Sequence, residues 1–212
     1  MMNQSKCNQS PIRIVPTIFS RLPLSLDLRW QPADGVPVWG AHGLEVRFKP
    51  NPLNGIALDD VDFILEHFHF HRPSEHYRAD VQFDAELHIV HKTGDGRKAA
   101  VIAVFLTVSD QADDAVDLSF FEALAERTGD NASVPLNPRG WLPPRTASAI
   151  RYEGSLTTGD HEEIVSWVVL GELRITSAQY RLIFGETKPH ARELQDLNRR
   201  YVVEFPWAPN AP

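Results

Sequence analysis

Cys7 is the only cysteine among the 212 residues. An intrachain disulfide is therefore excluded, and so is a structural zinc site built on several thiolates. Long apolar runs are also missing. The longest, Ala99 to Val108, falls well short of the ~20 residues a membrane helix needs. The stretch Met1-Met2-Asn3-Gln4-Ser5-Lys6 lacks the apolar core of a secretion signal. The expectation is a cytoplasmic protein as written, or a periplasmic or secreted one if the true start lies upstream. Basic charge is in the minority: 21 Lys and Arg against 28 Asp and Glu give a net charge of -7. With no basic patch, neither nucleic acid nor a membrane surface is an expected partner. The 42% of hydrophobic residues excludes a disordered chain, and 16 prolines with 12 glycines imply many turns. Length and composition fit one domain over residues 1–212, with the Pro-rich end, 205–212, expected to be a flexible tail. They leave the oligomeric state open.

What is present reads mostly as β-structure. Leu44, Val46 and Phe48 alternate with Glu45 and Arg47, the pattern of a half-buried strand. From Asp60 to His71 strict alternation puts Val61, Phe63, Leu65, His67, His69 and His71 on one face, and Ile64, Phe68 and Phe70 on the other. Asp84 to His91 reads as a strand with Glu86, His88 and Val90 on one face. Lys98 to Val108 and Ile164 to Glu172 are nearly continuous apolar segments, as expected for strands buried on both sides. Helices are few. Ser119 and Glu122 form a capping-box pattern, Phe121, Leu124 and Ala125 share a face, and Gly129 stops the turn. Thr176 to Phe184 reads as a short helix ending at Gly185. Pro135 to Pro144 reads as an ordered loop or run of turns.

Histidine is the anomaly. Six of the nine lie between His67 and His91. On a strand, His-x-His projects two imidazoles to one side, a spacing suited to one metal ion. The pattern alone leaves His67 and His71 as equal partners for His69. His88 on the next strand supplies a third ligand. Three neutral imidazoles would leave Zn²⁺ an open position for water, the catalytic arrangement, although imidazole also suits copper, iron and nickel. His69, His71 and Glu75 also match the His-x-His-x-x-x-Glu of a cupin metal enzyme. That pattern expects glycine seven residues after the glutamate, where Gln82 stands.

Longer strings settle the register. Phe68-His69-Phe70-His71-Arg72-Pro73-Ser74-Glu75-His76 and Glu86-Leu87-His88-Ile89-Val90-His91 resemble the α-class carbonic anhydrases, in particular the bacterial branch. So do Tyr152-Glu153-Gly154-Ser155-Leu156-Thr157-Thr158 and Val165-Ser166-Trp167-Val168-Val169-Leu170. Asn8-Gln9-Ser10-Pro11-Ile12, Asn137-Pro138-Arg139-Gly140 and the closing Arg192, Gln195, Leu197, Asn198 and Arg200 keep the family's order. The similarity runs from about Asn8 to Glu204.

The resemblance implies a mainly β fold: a large, twisted, mostly antiparallel central sheet with a few short peripheral helices and zinc in a cone-shaped cleft. It implies that His69, His71 and His88 bind Zn²⁺, and that a zinc-bound hydroxide attacks CO₂ to give bicarbonate and a proton. Thr157 would accept a hydrogen bond from that hydroxide and donate one to Glu75. Glu86 would hold the ring of His88, and His67 would stand behind His69. Val90, Val101, Leu156, Val165 and Trp167 would form the apolar wall where CO₂ waits, with Thr158 beside Thr157. His42 matches the proton shuttle, a role suited to a group that titrates near neutrality. Sulfonamides and small anions would bind the metal. The alternative is a catalytically silent binding module of the same fold.

The chain also departs from the family. Gly159-Asp160-His161 replaces the usual proline pair, and His161 stands where a second cysteine is common, so the family's disulfide is not expected here. His67 replaces a glutamine, Arg72 a tryptophan and His190 an asparagine. Few residues precede Gln9, so the expectation is a site without the family's aromatic N-terminal cover.

Overall fold

A computed structural model describes residues 6–40, 43–113, 116–126, 132–144 and 148–207. The first strands are β1 (Arg13–Ile14), β2 (Ile18–Phe19), β3 (Leu26–Leu28), β4 (Ala33–Gly40), β5 (Gly43–Phe48), β6 (Gly55–Leu58) and β7 (Val61–His71). They are followed by β8 (Tyr77–Arg78), β9 (Ala85–Lys92), β10 (Ala99–Ser109), helix α1 (Leu118–Glu126), β11 (Val134–Leu136) and β12 (Ser148–Gly154). The chain closes with β13 (Val165–Thr176), helix α2 (Ser177–Phe184) and β14 (Val203–Pro206).

A single 12-stranded sheet dominates, in the order β11-β4-β5-β7-β9-β10-β13-β12-β14-β2, with β3 and β6 paired alongside β7. Its pairings are mostly antiparallel; β10 with β13 and β14 with β2 are parallel. The apolar run of β10 lies at its centre. Alternate residues Ala100, Ile102, Val104 and Leu106 enter the larger core on one side, and Ala99, Val101, Ala103 and Phe105 the smaller core on the other. Both faces are covered, which is why the strand carries no polar alternation.

The alternation read for residues 61–71 fails at one place. The register between β7 and β9 shifts between Leu65 and His67, so Glu66 is an extra residue. A bulge exchanges the two faces of a strand. Phe63 and Leu65 therefore share the larger core with Phe68 and Phe70, whereas His67, His69 and His71 face the other way. A shift of the same kind interrupts β13, where Leu170 and Leu173 face one core.

Helix starts follow side-chain chemistry. Thr176 and Gln179 form a complete capping box at α2, which ends at Gly185. For α1 the cap is Asp117 rather than Ser119: its carboxylate accepts from Phe120 N at 3.2 Å and from the Ser119 hydroxyl at 2.6 Å. Phe120, Phe121 and Leu124 are buried, and Ala125 is exposed. Gly129 lies outside the described residues. The proline-rich stretch holds strand β11, paired with β4, and a 3-10 turn at Pro138–Trp141 capped by Asn137. The expected tail is shorter than read, because Phe205 and Pro206 pair with Ala149 and Ser148 of β12; residues 208–212 lie outside the described set. None of the described helices is long and apolar enough to cross a membrane.

Candidate metal centre

Strands β7 and β9 bring the histidines together. His69 lies directly across from His88, and His71 across from Glu86. One ring nitrogen from each of His69, His71 and His88 falls within a 4.8 Å cluster. His69 Nε2 and His88 Nδ1 are 3.2 Å apart. Tetrahedral ligands at 2.0–2.1 Å from zinc are separated by about 3.3 Å, so this spacing matches one edge of such a shell. The tautomer of His88 follows from its other nitrogen. Its Nε2 lies 2.9 Å from Glu86 Oε1, which requires an N–H there and leaves Nδ1 with a bare lone pair. Burial and the neighbouring His71 and His88 push the pKa of His69 well below its ordinary value. A ligand must be neutral, and this environment keeps it so.

His67 is not in the cluster. Its ring stacks on His69 with centroids 5.1 Å apart, and its Nδ1 lies 3.4 Å from Glu66 Oε2. The expected support of His69 from His67 is thus a ring contact rather than a hydrogen bond. The buried His69 Nδ1 has no hydrogen-bond partner among the described residues. The bulge at Glu66 explains this orientation, because it sets a carboxylate beside the His67 ring. That ring and Lys92, 3.0 Å away, pull the pKa of Glu66 down to about 2 against its burial.

Glu75 is 1% exposed. Burial raises its pKa, against the nearby His88, the Thr157 hydroxyl and the backbone N–H of Arg192. The last of these donates to Oε1 at 3.0 Å. Thr157 is buried on the loop after β12. Its hydroxyl can donate to only one acceptor, so bonding to Glu75 leaves the hydroxyl oxygen as an acceptor in the site.

Glu86 behaves differently. Oε1 lies 2.6 Å from His76 Nδ1 and 2.9 Å from His88 Nε2, while Oε2 accepts from the backbone N–H groups of Glu75 and His76, both at 2.8 Å. Burial alone would raise its pKa, but His76 and His88 hold it well below the ordinary carboxylate range. His76 continues the network through Nε2 to Tyr152 OH at 2.6 Å, and Tyr152 donates to Ser10 Oγ at 2.8 Å. His76, Glu86 and His88 also cluster tightly enough for a metal. The acceptor positions of Glu86 are already filled, so this trio is scaffold. Sequence reasoning gave His76 no role. The signal was present, since a buried Glu86 needs donors and His76 adjoins Glu75.

The other expected residues divide between two places. Thr158 lines a cavity of about 210 Å³ with His67, His69 and His71. Phe70 also lines it, and the rest of its wall comes from Val38, Gly40, Gly43, Leu44, Glu45 and Arg47 on β4 and β5, none of which the sequence marks as lining. The alternation of β5 carried the signal: Glu45 stands across from His69 and Arg47 from His67. The expected wall of Val90, Val101, Val165 and Trp167 does not line this cavity. These residues are at most 2% exposed and pack with one another beneath the partly buried Leu156. Val90, Val101 and Trp167 form one row across β9, β10 and β13. That row lies next to His88, whose ring is 4.9 Å from Trp167. His42 lies outside the described residues, between Gly40 and Gly43, which both line the cavity. Of the departures, His190 sits 5.2 Å from the His71 ring, and Arg72 lies over Phe184 at 5.3 Å.

Comparison with known proteins agrees with this geometry. The family model for eukaryotic-type carbonic anhydrase matches residues 2–205. A carbonic anhydrase of Klebsiella pneumoniae is 31% identical over 215 residues, covering 95% of this chain and 81% of that protein. The α-carbonic anhydrase of Photobacterium profundum superposes with a TM-score of 0.77 at 31% identity, over 94% of this chain and 90% of the other. The α-carbonic anhydrase of Thermovibrio ammonificans, solved with the inhibitor sulfanilamide, gives 0.75 at 27% identity, over 92% and 86% of the two chains. The chain belongs to the eukaryotic-type, or α-class, carbonic anhydrase family, whose general reaction is the hydration of carbon dioxide.

Proposed function

We propose that this chain reversibly hydrates CO₂ to bicarbonate and a proton, with Zn²⁺ held by His69, His71 and His88. The observation that carries this reading is the 3.2 Å approach of His69 Nε2 to His88 Nδ1 beside a buried Thr157–Glu75 pair. Bound there, zinc would supply the Lewis acidity that brings the pKa of a coordinated water to about 7.

The chain's own residues do the rest. Glu86 fixes the His88 ring and raises its basicity by accepting the Nε2 proton. Glu75 takes the Thr157 hydroxyl proton in a hydrogen bond, so the Thr157 oxygen accepts from the attacking water and aims its lone pair at CO₂. The partly buried Leu156, packed against the row of Val90, Val101 and Trp167 beside His88, would present CO₂ with an apolar surface that disfavours competing water. Each hydration releases one proton. His42 would pass it to buffer, because imidazole titrates near neutral pH. Sulfonamide anions would compete at the metal, as the sulfanilamide complex of the T. ammonificans relative suggests.

His88→Ala tests the ligand assignment. Tight zinc binding and turnover should be lost together, by metal analysis and stopped-flow hydration. Retained turnover would refute it.

A further inference from the structure

Thr157 and Glu75 come from different loops, and something must hold them in register. Gln9, 8% exposed, stands between the loop of Thr157 and Arg192, whose backbone holds Glu75. Its carboxamide is used at both ends. Oε1 accepts from Arg192 Nη2 at 2.9 Å. Nε2 donates to the His161 carbonyl at 3.1 Å and to Glu163 Oε1 at 2.9 Å.

Each end leads to one of the pair. Arg192 gives its backbone N–H to Glu75 Oε1 at 3.0 Å, and its guanidinium reaches the Ser10 carbonyl and Ser155 Oγ. Residues 156–162 form the loop that carries Thr157, closed by Leu156 N to the Glu162 carbonyl at 3.0 Å. This loop contains left-handed backbone at Gly159 (φ 63°) and at His161 (φ 54°). The second is unfavourable for a residue with a side chain, so the loop depends on ties from outside. Those ties come from the N-terminal segment: Gln9, Asn8 N to Glu163 Oε1 at 2.7 Å, and the Lys6 ammonium to the Asp160 carbonyl.

We propose that Gln9 is a positioning residue that sets Thr157 against Glu75 by bridging Arg192 to the 161–163 loop segment. The inference rests on the proposed role of that pair. An amide is required because one end must accept from a guanidinium and the other must donate to two oxygens. A carboxylate would face Glu163 and the His161 carbonyl with no proton to offer.

Three variants test this: Gln9→Met, of similar length without hydrogen bonds; Gln9→Glu; and the exchange Gln9→Glu with Glu163→Gln. Each is compared with wild type for zinc content, melting temperature, kcat across pH and sulfanilamide affinity by calorimetry. Displacement of a group at the reacting centre costs up to about a hundredfold. Gln9→Met should keep one zinc per chain, lose about tenfold in kcat and in sulfanilamide affinity, and move the midpoint of the kcat–pH profile. Gln9→Glu should lose more. The exchange should recover most of that loss, because it moves the donating carboxamide to position 163 and restores a donor–acceptor pair with position 9. Wild-type kcat and sulfanilamide affinity in Gln9→Met, whatever its melting temperature, would overturn the proposal. So would a loss in Gln9→Glu that the exchange leaves unchanged. Absence of turnover in the wild type would count against the proposed reaction alone; the sulfanilamide comparison would then decide the role of Gln9.

Discussion

His88 belongs to two clusters, one of three histidines and one with His76 and Glu86, with one nitrogen in each. On one side, Glu86, His76, Tyr152 and Ser10 form a buried chain in which every acceptor of Glu86 is filled. On the other side, His69 and His88 bring nitrogens to 3.2 Å in the geometry of a ligand shell. The difference separates scaffold from site. Saturated polar groups have nothing to offer a metal and instead fix the ring of His88, whose Nδ1 keeps its lone pair. The same residue types at similar burial thus perform opposite tasks, and bond counting distinguishes them where residue identity does not.

The largest effect should come from emptying the saturated side. Glu86→Ala leaves the donors of His76 and His88 and two backbone N–H groups buried without acceptors. At about 1–3 kcal/mol per unsatisfied group, it should cost on the order of 5 kcal/mol in chemical denaturation. A loss within experimental error of zero would show that water replaces the carboxylate and that the network is not the scaffold.

Acid should attack the scaffold next. His91 is fully buried, accepts from Trp30 Nε1 at 2.9 Å and donates to the Ala100 carbonyl, and burial pushes its pKa down to about 3. Its ordinary value is 6.5, so the unfolded chain takes up a proton that the folded chain refuses. Stability from this group is complete above about pH 6.5 and is lost as pH falls toward 3, by up to about 5 kcal/mol. Glu86, held below the usual carboxylate range, adds a loss that begins as pH falls past about 4.5. Melting temperature should therefore fall from pH 6.5 downward. A flat profile to pH 4 would contradict the assignment of His91 as a neutral core group.

A smaller change should sharpen the site side. His69 Nδ1 is buried without a hydrogen-bond partner among the described residues, and the family's glutamine is replaced by His67. His67→Gln should tighten zinc by about tenfold, the usual scale for support of a ligand from behind. Competition with a chromogenic chelator would measure it, and unchanged affinity would mean that His69 needs no such partner. The smallest effect belongs to His42→Ala. Turnover should fall only at low buffer concentration and be restored by added imidazole. Equal loss at all buffer levels would exclude a shuttle role.

Much of this was legible in the sequence because it depends on periodicity and residue type. The His-x-His pair, the buried run of β10 and the short helix that ends at Gly185 each follow from local rules. The bulge at Glu66 was not legible, since alternation assumes an unbroken period and one extra residue exchanges the faces. The Ser-Glu pattern points to Ser119 as the cap of α1, while Asp117, two residues earlier, offers the stronger acceptor. His76 was overlooked because its partners, Glu86 and Tyr152, are remote in sequence. The cavity wall from Glu45 and Arg47 depended on knowing that β5 pairs with β7, a pairing no single strand encodes.

The cluster of His69, His71 and His88 is proposed as a working hydration site. Stopped-flow CO₂ hydration by zinc-loaded protein, with and without sulfanilamide, tests it most directly. Fast turnover is expected, abolished by sulfanilamide at one equivalent per zinc, up to the limit of its affinity. Folded, zinc-loaded protein that binds sulfanilamide yet hydrates no CO₂ above the buffer rate would overturn this assignment and identify a catalytically silent binding module.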